Sequence, residues 1–360
     1  MRRRWDGDKL MRMLIDGIHI PLTVPFTRDG GIYLHKLEYN VQRYSLTPAS
    51  GLVALTAEAE GAALSDAEIA ETLRVMGEVA DPAKVLVAAV ARDSVRGALT
   101  VAEMAAKAGF DMVLLAAPPQ WERLTEQEVM LYFRTVADES VLPVALTSEV
   151  RQQGYRLSVD EIAELAVHRN VLGIYDQGLT VERFLAISGV TQDVRRDVVV
   201  TSVFAPVTRR MAFRGEADGA GFVPAGSIGN SSSVMTVPKI AIKTRTKTVG
   251  FQVMAMGTSA GFVELLESGV AGAMFSLSAC SPQACHEAYA AFKDGDPALA
   301  SEKVQRMAEA DALLGGLGIS GVKYGCDWNG YFGGAPRLPR LSLNAEGQAA
   351  VEQVLMGIRN

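Results

Sequence analysis

Four histidines and three cysteines are all that 360 residues contain of the two side chains that most often bind transition metals. The cysteines, Cys280, Cys285 and Cys326, form no C-x-x-C and show no metal-type spacing. Their odd number offers no disulfide framework, which suits a reducing cytoplasm. His35, His168 and His286 fall in helical stretches and His19 lies within the first strand, so no histidine ends a strand. That argues against an imidazole-held zinc site of the class II aldolase type. A Ser-His-Asp arrangement lacks its G-x-S-x-G context. No run approaches the roughly 18 apolar residues of a membrane helix. The opening MRRRWDGDKLMRMLIDG is broken by Asp6, Asp8 and Asp16, so no signal peptide is expected. A formal charge of −6 leaves no basic face for nucleic acid. Aromatics make up only 7%, yet 49% of residues are hydrophobic, which fits a packed core and excludes a disordered chain. The expectation is a soluble cytoplasmic protein that binds neither membrane nor nucleic acid.

What is present is rhythm. Short aliphatic runs bounded by Gly or Pro alternate with helix-like stretches. Strands are expected at Ile18 to Phe26, Gly51 to Thr56, Val85 to Val90, Met112 to Ala116, Val141 to Leu146 and Val171 to Tyr175. Two more follow at Phe251 to Met256 and Ala271 to Leu277. Helices are expected from about Leu34, through Val101 to Ala108, from Thr125 to about Ala137 and through Val263 to Ser268. Ser65 with Glu68, and Thr125 with Glu128, are spaced as capping boxes. Eight strands alternating with helices predict an α/β chain of the (β/α)8 TIM-barrel type. It carries a C-terminal helical extension and an insertion between helix 6 and strand 7. A doubly wound open sheet is the structural rival, weakened because no G-x-G-x-x-G follows the first strand. The expected division is an N-terminal segment over 1–16, the barrel over 17–300 with its insertion at about 190–250, and the extension over 301–360.

The insertion holds a strand-like run (Val198 to Phe204), a Gly/Ser-rich patch (Gly219 to Ser233) and a basic, β-prone stretch from Lys239 to Thr248. A segment joining a helix to the next strand emerges on the barrel's stability face, away from the usual chemistry. It reads as a hairpin-like oligomer contact, with an exposed edge kept soluble by lysines.

The chain is organised around Val171-Leu-Gly-Ile-Tyr-Asp-Gln177, a buried parallel strand with a polar tail. Barrels of this kind keep their chemistry at the carboxyl ends of the strands. There the sequence delivers Glu58 and Glu60, Arg92 and Asp93, Gln120 and Trp121, Thr147 and Glu149, Tyr175 and Asp176, Thr258 and Ser259, and Ser276 and Ser278. Clustered carboxylates raise one another's pKa and can supply an acid and a base together. Glu58, Glu149 and Asp176 could also hold a hard cation through oxygen alone. With structural roles weighed, Glu60 ties loops together, Asp176 caps the following helix and Arg92 pairs with Asp93 or Glu58.

Several segments carry a resemblance. Ile20-Pro-Leu-Thr-Val-Pro-Phe-Thr-Arg-Asp-Gly30 resembles P-L-V-T-P-F-x-x-D-G, and Gly51 to Glu60 with Leu64-Ser65 and Glu68 resembles G-L-V-x-x-G-T-T-G-E…L-S-x-x-E. Leu142-Pro-Val, Asn170-Val-Leu-Gly-Ile, and Asn329-Gly-Tyr-Phe-Gly-Gly-Ala-Pro-Arg-Leu-Pro-Arg-Leu continue the match in order. These patterns are similar to the dihydrodipicolinate synthase/N-acetylneuraminate lyase family, over nearly the whole chain except about 190–250. The resemblance implies a TIM barrel, commonly a homotetramer or homodimer, acting on pyruvate or related 2-keto acids.

At the chemical stations the chain departs from that pattern. The family's Schiff-base lysine, in G-I-K-[ED], falls on Tyr175, and a phenol cannot form an iminium. The carboxylate-holding Thr-Thr falls on Ala57 and Glu58, and the relay tyrosine of strand five on Thr147. The arginine of that loop falls on Gln152, with Arg151 one place off, and the tyrosines after strand four on Gln120 and Trp121. Lys323, in Gly321-Val-Lys-Tyr324, reads as an ordinary helix residue, and Lys239, Lys243 and Lys247 lie in the insertion. The expectation is a lyase-type enzyme, an aldolase or hydratase/dehydratase, on a small keto-acid-like or sugar-acid-like substrate. Its catalytic candidates are Tyr175, Asp176, Glu58, Thr147 and Glu149, without a covalent intermediate, cofactor or metal. Ala57, Glu60, Arg92, Gln120, Trp121, Thr258 and Ser276 are the binding candidates. The alternative is an inactive barrel of the same family acting as a small-molecule-binding or scaffold protein.

Overall fold

The structure is a computed structural model that describes residues 13–150, 154–212 and 243–358. Eight parallel strands close a barrel: β1 (Gly17–Pro21), β2 (Gly51–Ala54), β3 (Val85–Val90), β4 (Met112–Leu115), β5 (Val144–Ser148), β6 (Val171–Gln177), β9 (Gln252–Gly257) and β10 (Gly272–Phe275). The remaining two, β7 (Arg196–Thr201) and β8 (Thr244–Val249), form a separate antiparallel hairpin. Helices α1 (Leu34–Ser45), α2 (Asp66–Val79), α3 (Val95–Lys107), α4 (Glu126–Glu139), α5 (Val159–Ala166), α6 (Val181–Val190) and α7 (Phe262–Ser268) alternate with the barrel strands. Short α8 (Leu277–Cys280), then α9 (Pro282–Lys293), α10 (Pro297–Trp328) and α11 (Ala345–Leu355) follow. Among the described residues no helix is long and apolar enough to cross a membrane.

The first strand is shorter than its apolar pattern. After Leu22 donates to the Val53 carbonyl at 2.9 Å, the chain leaves the ladder, and Pro25 has no N–H to rejoin it. The fifth strand starts and ends later than expected. Pro143 offers the ladder only its carbonyl, to Val113 N at 2.9 Å, and the strand runs on to Ser148. Ser65 with Glu68 and Thr125 with Glu128 close reciprocal capping boxes, and Ser158 with Glu161 makes a third.

Alternation along each strand sorts two cores. Outward residues such as Leu86, Ala88, Val113 and Leu115 pack against the helices. Inward residues, among them Val53, Val85, Val87, Met112, Leu114, Met254 and Met274, fill the lumen. Strand β6 breaks step. Val144 pairs with Val171 but Ala145 pairs with Gly173, so Leu172 is an extra residue. Leu172 and Tyr175, of opposite parity, therefore both face inward, and Asp176 faces out.

The barrel floor is plugged. Met13 and Ile15 join the lumen core, fixed by the Gln252 amide, which accepts from Ile15 N at 2.6 Å and donates to the Met13 carbonyl at 3.2 Å. Leu14 packs on Val198 and Val200 of the hairpin. The insertion thus lies across the floor, and Arg210 ties it to the far side through the carbonyls of Ala80 and Lys84, at 2.8 and 2.5 Å. Of the basic stretch, residues 239–242 and the whole Gly/Ser-rich patch lie outside the described residues.

Candidate active site at the barrel mouth

Tyr175 reaches the lumen because of the β6 bulge, and no part of it is exposed. Its hydroxyl lies 2.7 Å from His19 Nδ1, on β1. Burial holds the phenol well above its ordinary pKa, helped by the charge of Asp16 below it. Burial also pushes His19 down to about 4, against a weaker pull from the Asp16 backbone. His19 Nε2 is buried and has no hydrogen-bond partner among the described residues. Both partners are therefore neutral at pH 7 and share one proton across a neutral hydrogen bond. A missing Cβ makes room for this: one on Gly51 would sit 2.8 Å from His19 Cε1.

Asp176, expected beside Tyr175 as a proton-transfer candidate or a helix cap, is neither placed in the lumen nor a cap. It is fully buried on the outer side of the strand, and Thr180 caps α6. Arg183 Nε approaches its two oxygens at 3.1 and 2.9 Å, Arg183 Nη2 lies 2.8 Å from Oδ2, and Arg156 Nη1 lies 3.0 Å from Oδ1. Arg183 also reaches Ser148 Oγ and the Leu157 carbonyl, at 3.1 and 2.7 Å. Both oxygens of this buried carboxylate are taken up by the two guanidiniums, which makes it a structural anchor and leaves it unavailable for proton transfer.

The other strand ends fall into separate groups. Glu58 accepts from Ser276 Oγ at 2.6 Å, bridging β2 and β10 across the mouth. Next to Glu58, exposed Ala57 offers no polar side chain, and the Thr56 hydroxyl is buried without a partner. Thr147 is paired in register with Tyr175 and is buried. Glu149, just past β5, is half-buried, and burial raises its carboxyl above the usual range. Trp121 meets Tyr155 edge-to-face at 5.4 Å, forming an aromatic lip beside Glu149.

Four candidates turn away to other duties. Arg92 pairs with Asp66 at 2.9 Å, not with Asp93 or Glu58, because it lies nearer the start of α2. Asp93 instead accepts from Gln120, through N at 3.0 Å and Nε2 at 3.3 Å. Thr258 donates to Asp311 of α10 at 3.0 Å. Glu60, in a left-handed backbone conformation at φ 53, is buried against Lys323 at 2.7 Å and accepts from Arg337 N at 3.1 Å. Lys323 is thus no ordinary helix residue. It is fully buried, its Nζ lies 4.2 Å from the Phe26 ring centre, and burial lowers its pKa while Glu60 opposes the shift.

Sequence reasoning missed His19, Arg156, Arg183, Lys323 and Asp311. Their partners come from other elements, so no local pattern announces them. Arg151 and Gln152 lie outside the described residues. Among the described residues no three acidic, histidine or cysteine side chains gather closely enough to hold a metal ion. The oxygen trio of Glu58, Glu149 and Asp176 is not assembled, since Asp176 belongs to its arginines.

Comparison with known proteins follows the same outline. The profile of the Dihydrodipicolinate synthetase family matches residues 14–215, more than half of the chain. A 4-hydroxy-tetrahydrodipicolinate synthase of Xanthomonas axonopodis pv. citri is 31% identical over 182 residues, 50% of this chain and 60% of that protein. 4-Hydroxy-tetrahydrodipicolinate synthase 1 of Streptomyces coelicolor is 30% identical over 155 residues, 43% of this chain and 50% of that protein. The chain thus aligns with half to three-fifths of the length of these curated relatives. Dihydrodipicolinate synthase DapA-2 of Bacillus anthracis superposes with a TM-score of 0.75 at 19% identity, covering 96% of this chain and 99% of that one. YagE, a prophage protein of E. coli K12 solved in complex with pyruvate, gives 0.74 at 19% identity, with the same coverage of both chains.

Proposed function

Because the chain belongs to the dihydrodipicolinate synthetase family, we propose that it is a lyase-type barrel, an aldolase or hydratase/dehydratase, whose mouth handles a small acid without an imine. One observation carries this reading. At the lumen position where the resemblance puts a lysine, β6 presents a neutral phenol bonded to a neutral imidazole. Proton transfer then falls to carboxyls. Glu149, held protonated to higher pH by burial, is the candidate acid, and Glu58, positioned by Ser276, the candidate base. Thr147 and Tyr175 line the depth of the same opening. Pyruvate in the related YagE barrel supports a keto-acid-like substrate, with sugar acids as the nearest extension. The protein works as a homotetramer or homodimer, which light scattering after gel filtration tests.

Incubation with pyruvate and borohydride, followed by peptide mass spectrometry, is the direct test. No lysine adduct is expected, and a stable adduct on any lysine overturns the proposal. Turnover of a keto acid that falls at least about tenfold in Glu149→Gln locates the acid, in line with ordinary general-acid contributions.

A second reading is favoured by a specific observation: Tyr175, Glu60 and Asp176 are already saturated by partners inside the protein. A barrel with those groups spent would bind a ligand or a partner without catalysing. Ligands that raise the melting temperature but are never consumed would support that reading over the first.

A further inference from the structure

The hairpin across the barrel floor ends in an open edge. Arg196 to Thr201 pair one-to-one with Val249 to Thr244, without a bulge, and among the described residues that sheet stops at two strands. One side of β8 is therefore spent on β7, and on the other side alternate N–H and carbonyl groups meet no described strand. Thr244 to Thr248 are all exposed. No proline interrupts β8, and Thr244, Thr246, Thr248 and Val249 are β-branched, so the backbone is already held extended, as strand addition requires.

Charge along this edge is sorted by face. Val198 stands opposite Lys247 and Val200 opposite Arg245, so both basic residues share the face that β7 packs on Leu14. Both stay exposed, so β8 overhangs that apolar contact. Lys243, just before the strand, continues the alternation and is exposed too. Among the described residues no ion pair engages Lys243, Arg245 or Lys247. Arg245 instead lies 5.5 Å from the Phe204 ring centre, and Lys247 is within electrostatic reach of Asp16. Asp197, the one acid in the two strands, is on the other face and accepts from Thr248 Oγ1 at 2.6 Å. A second copy suits this edge poorly, because two-fold pairing would lay β8 antiparallel to itself and set two basic rows side by side. Beside Arg245, Val203 and Phe204 keep 79% and 51% of their surface exposed, apolar area that a partner lying along β8 would help to cover.

We propose that the free edge of β8 takes an acidic extended segment of another protein by strand addition, its carboxylates at alternate positions facing Lys243, Arg245 and Lys247. Backbone hydrogen bonds supply the hold, and the basic row selects the partner, since exposed ion pairs add little each. This surface lies at the floor, the opposite end of the barrel from the mouth. It goes beyond the proposed function and does not depend on it.

The test is fluorescence anisotropy of a short labelled peptide of alternating glutamate and valine, titrated with the full chain. The peptide should bind, and less tightly as salt rises. The same peptide with lysine in place of glutamate should not bind. Alternate N-methylation of the acidic peptide keeps its charge but removes the backbone donors of one edge, and should weaken binding by about tenfold or more. The combined variant Lys243→Glu, Arg245→Glu and Lys247→Glu changes only exposed side chains and should weaken binding on the same scale. Should that variant unfold, the methylated peptide still decides the matter on wild type. No binding of the acidic peptide by wild type, or equal binding by the methylated peptide or by the folded variant, overturns the proposal. A single-stranded oligonucleotide that displaces the acidic peptide from wild type and is itself lost by the variant assigns the row to phosphates and overturns it too. So does an assembly that dissociates in the variant by light scattering, which gives the edge to a second copy.

Discussion

The two ends of the barrel bury carboxylates in opposite ways. At the mouth Glu60 is locked by Lys323 and Asp176 by Arg156 and Arg183. At the floor Asp111 accepts from the backbone of Leu86 and Arg209, at 2.8 and 2.6 Å, and burial raises it to about 6. Asp16 is likewise pushed to about 6 by burial, against the pull of Lys247 and Lys293. Glu60 and Asp176 are fastened by ion pairs, whereas burial pushes the two floor carboxyls up toward neutral pH.

Breaking the mouth's lock should cost most. Lys323→Ala leaves Glu60 buried with only the Arg337 backbone and the more distant Arg340, and unfolding in urea should show a loss of about 3–5 kcal/mol. Adding Glu60→Gln should recover much of it by removing the uncompensated charge. A single-variant loss under about 1 kcal/mol would mean that the mouth is no more locked than the floor.

The floor should answer to pH instead. Asp111 binds its proton more tightly folded than unfolded. Its penalty is therefore absent below about pH 4, grows as pH rises from about 4 to about 6, and stays constant above that. A rise of about two pH units corresponds to about 3 kcal/mol. Asp111→Asn cannot ionise, so its stability relative to wild type should improve between pH 4 and pH 7 by about 2–3 kcal/mol. Glu68, lowered to about 2 mainly by Arg337, acts in the other direction and in another window, losing its contribution as pH falls from about 4.5 toward 2. A relative stability of Asp111→Asn that is flat with pH would erase the contrast between the two ends.

Next in size stands the lumen pair. Tyr175→Phe strips His19 Nδ1 of its partner inside an apolar barrel, at a cost of about 1–3 kcal/mol. The variant should also leave the imidazole neutral at pH 7, since burial sets its pKa. Histidine NMR showing His19 protonated near pH 6 would contradict the second expectation, and an unchanged stability in urea would contradict the first.

The barrel was legible because buried parallel strands are written as aliphatic runs, and Val85 to Val90 was bounded to the residue. The direction of Tyr175 and Asp176 was not. Counting by twos from Leu172 turns Tyr175 outward, and only the extra residue in β6 returns it to the lumen. That bulge is set by how β5 and β6 meet, which neither strand spells out alone. The partners of the site were hidden for a related reason. Lys323 and Arg337 come from the C-terminal extension to clasp a loop after β2, and a one-dimensional reading has no period for such contacts.

The smallest expected effect discriminates best between the arginines of the mouth. Arg92 is the one arginine that the sequence places at a strand end, yet it leans on Asp66, whose side chain is 70% exposed. Water competes for that pair, so Arg92→Ala should change stability by less than about 1 kcal/mol. Arg183→Ala, which strips a buried carboxylate of its two-oxygen partner, should cost about 3 kcal/mol or more. Measured side by side in urea, the two substitutions separate an arginine that merely sits at the mouth from one that builds it. Equal losses would mean that burial of the carboxylate partner does not decide what an ion pair contributes here, and the distinction between locked and solvated charge at this end of the barrel would fall with it.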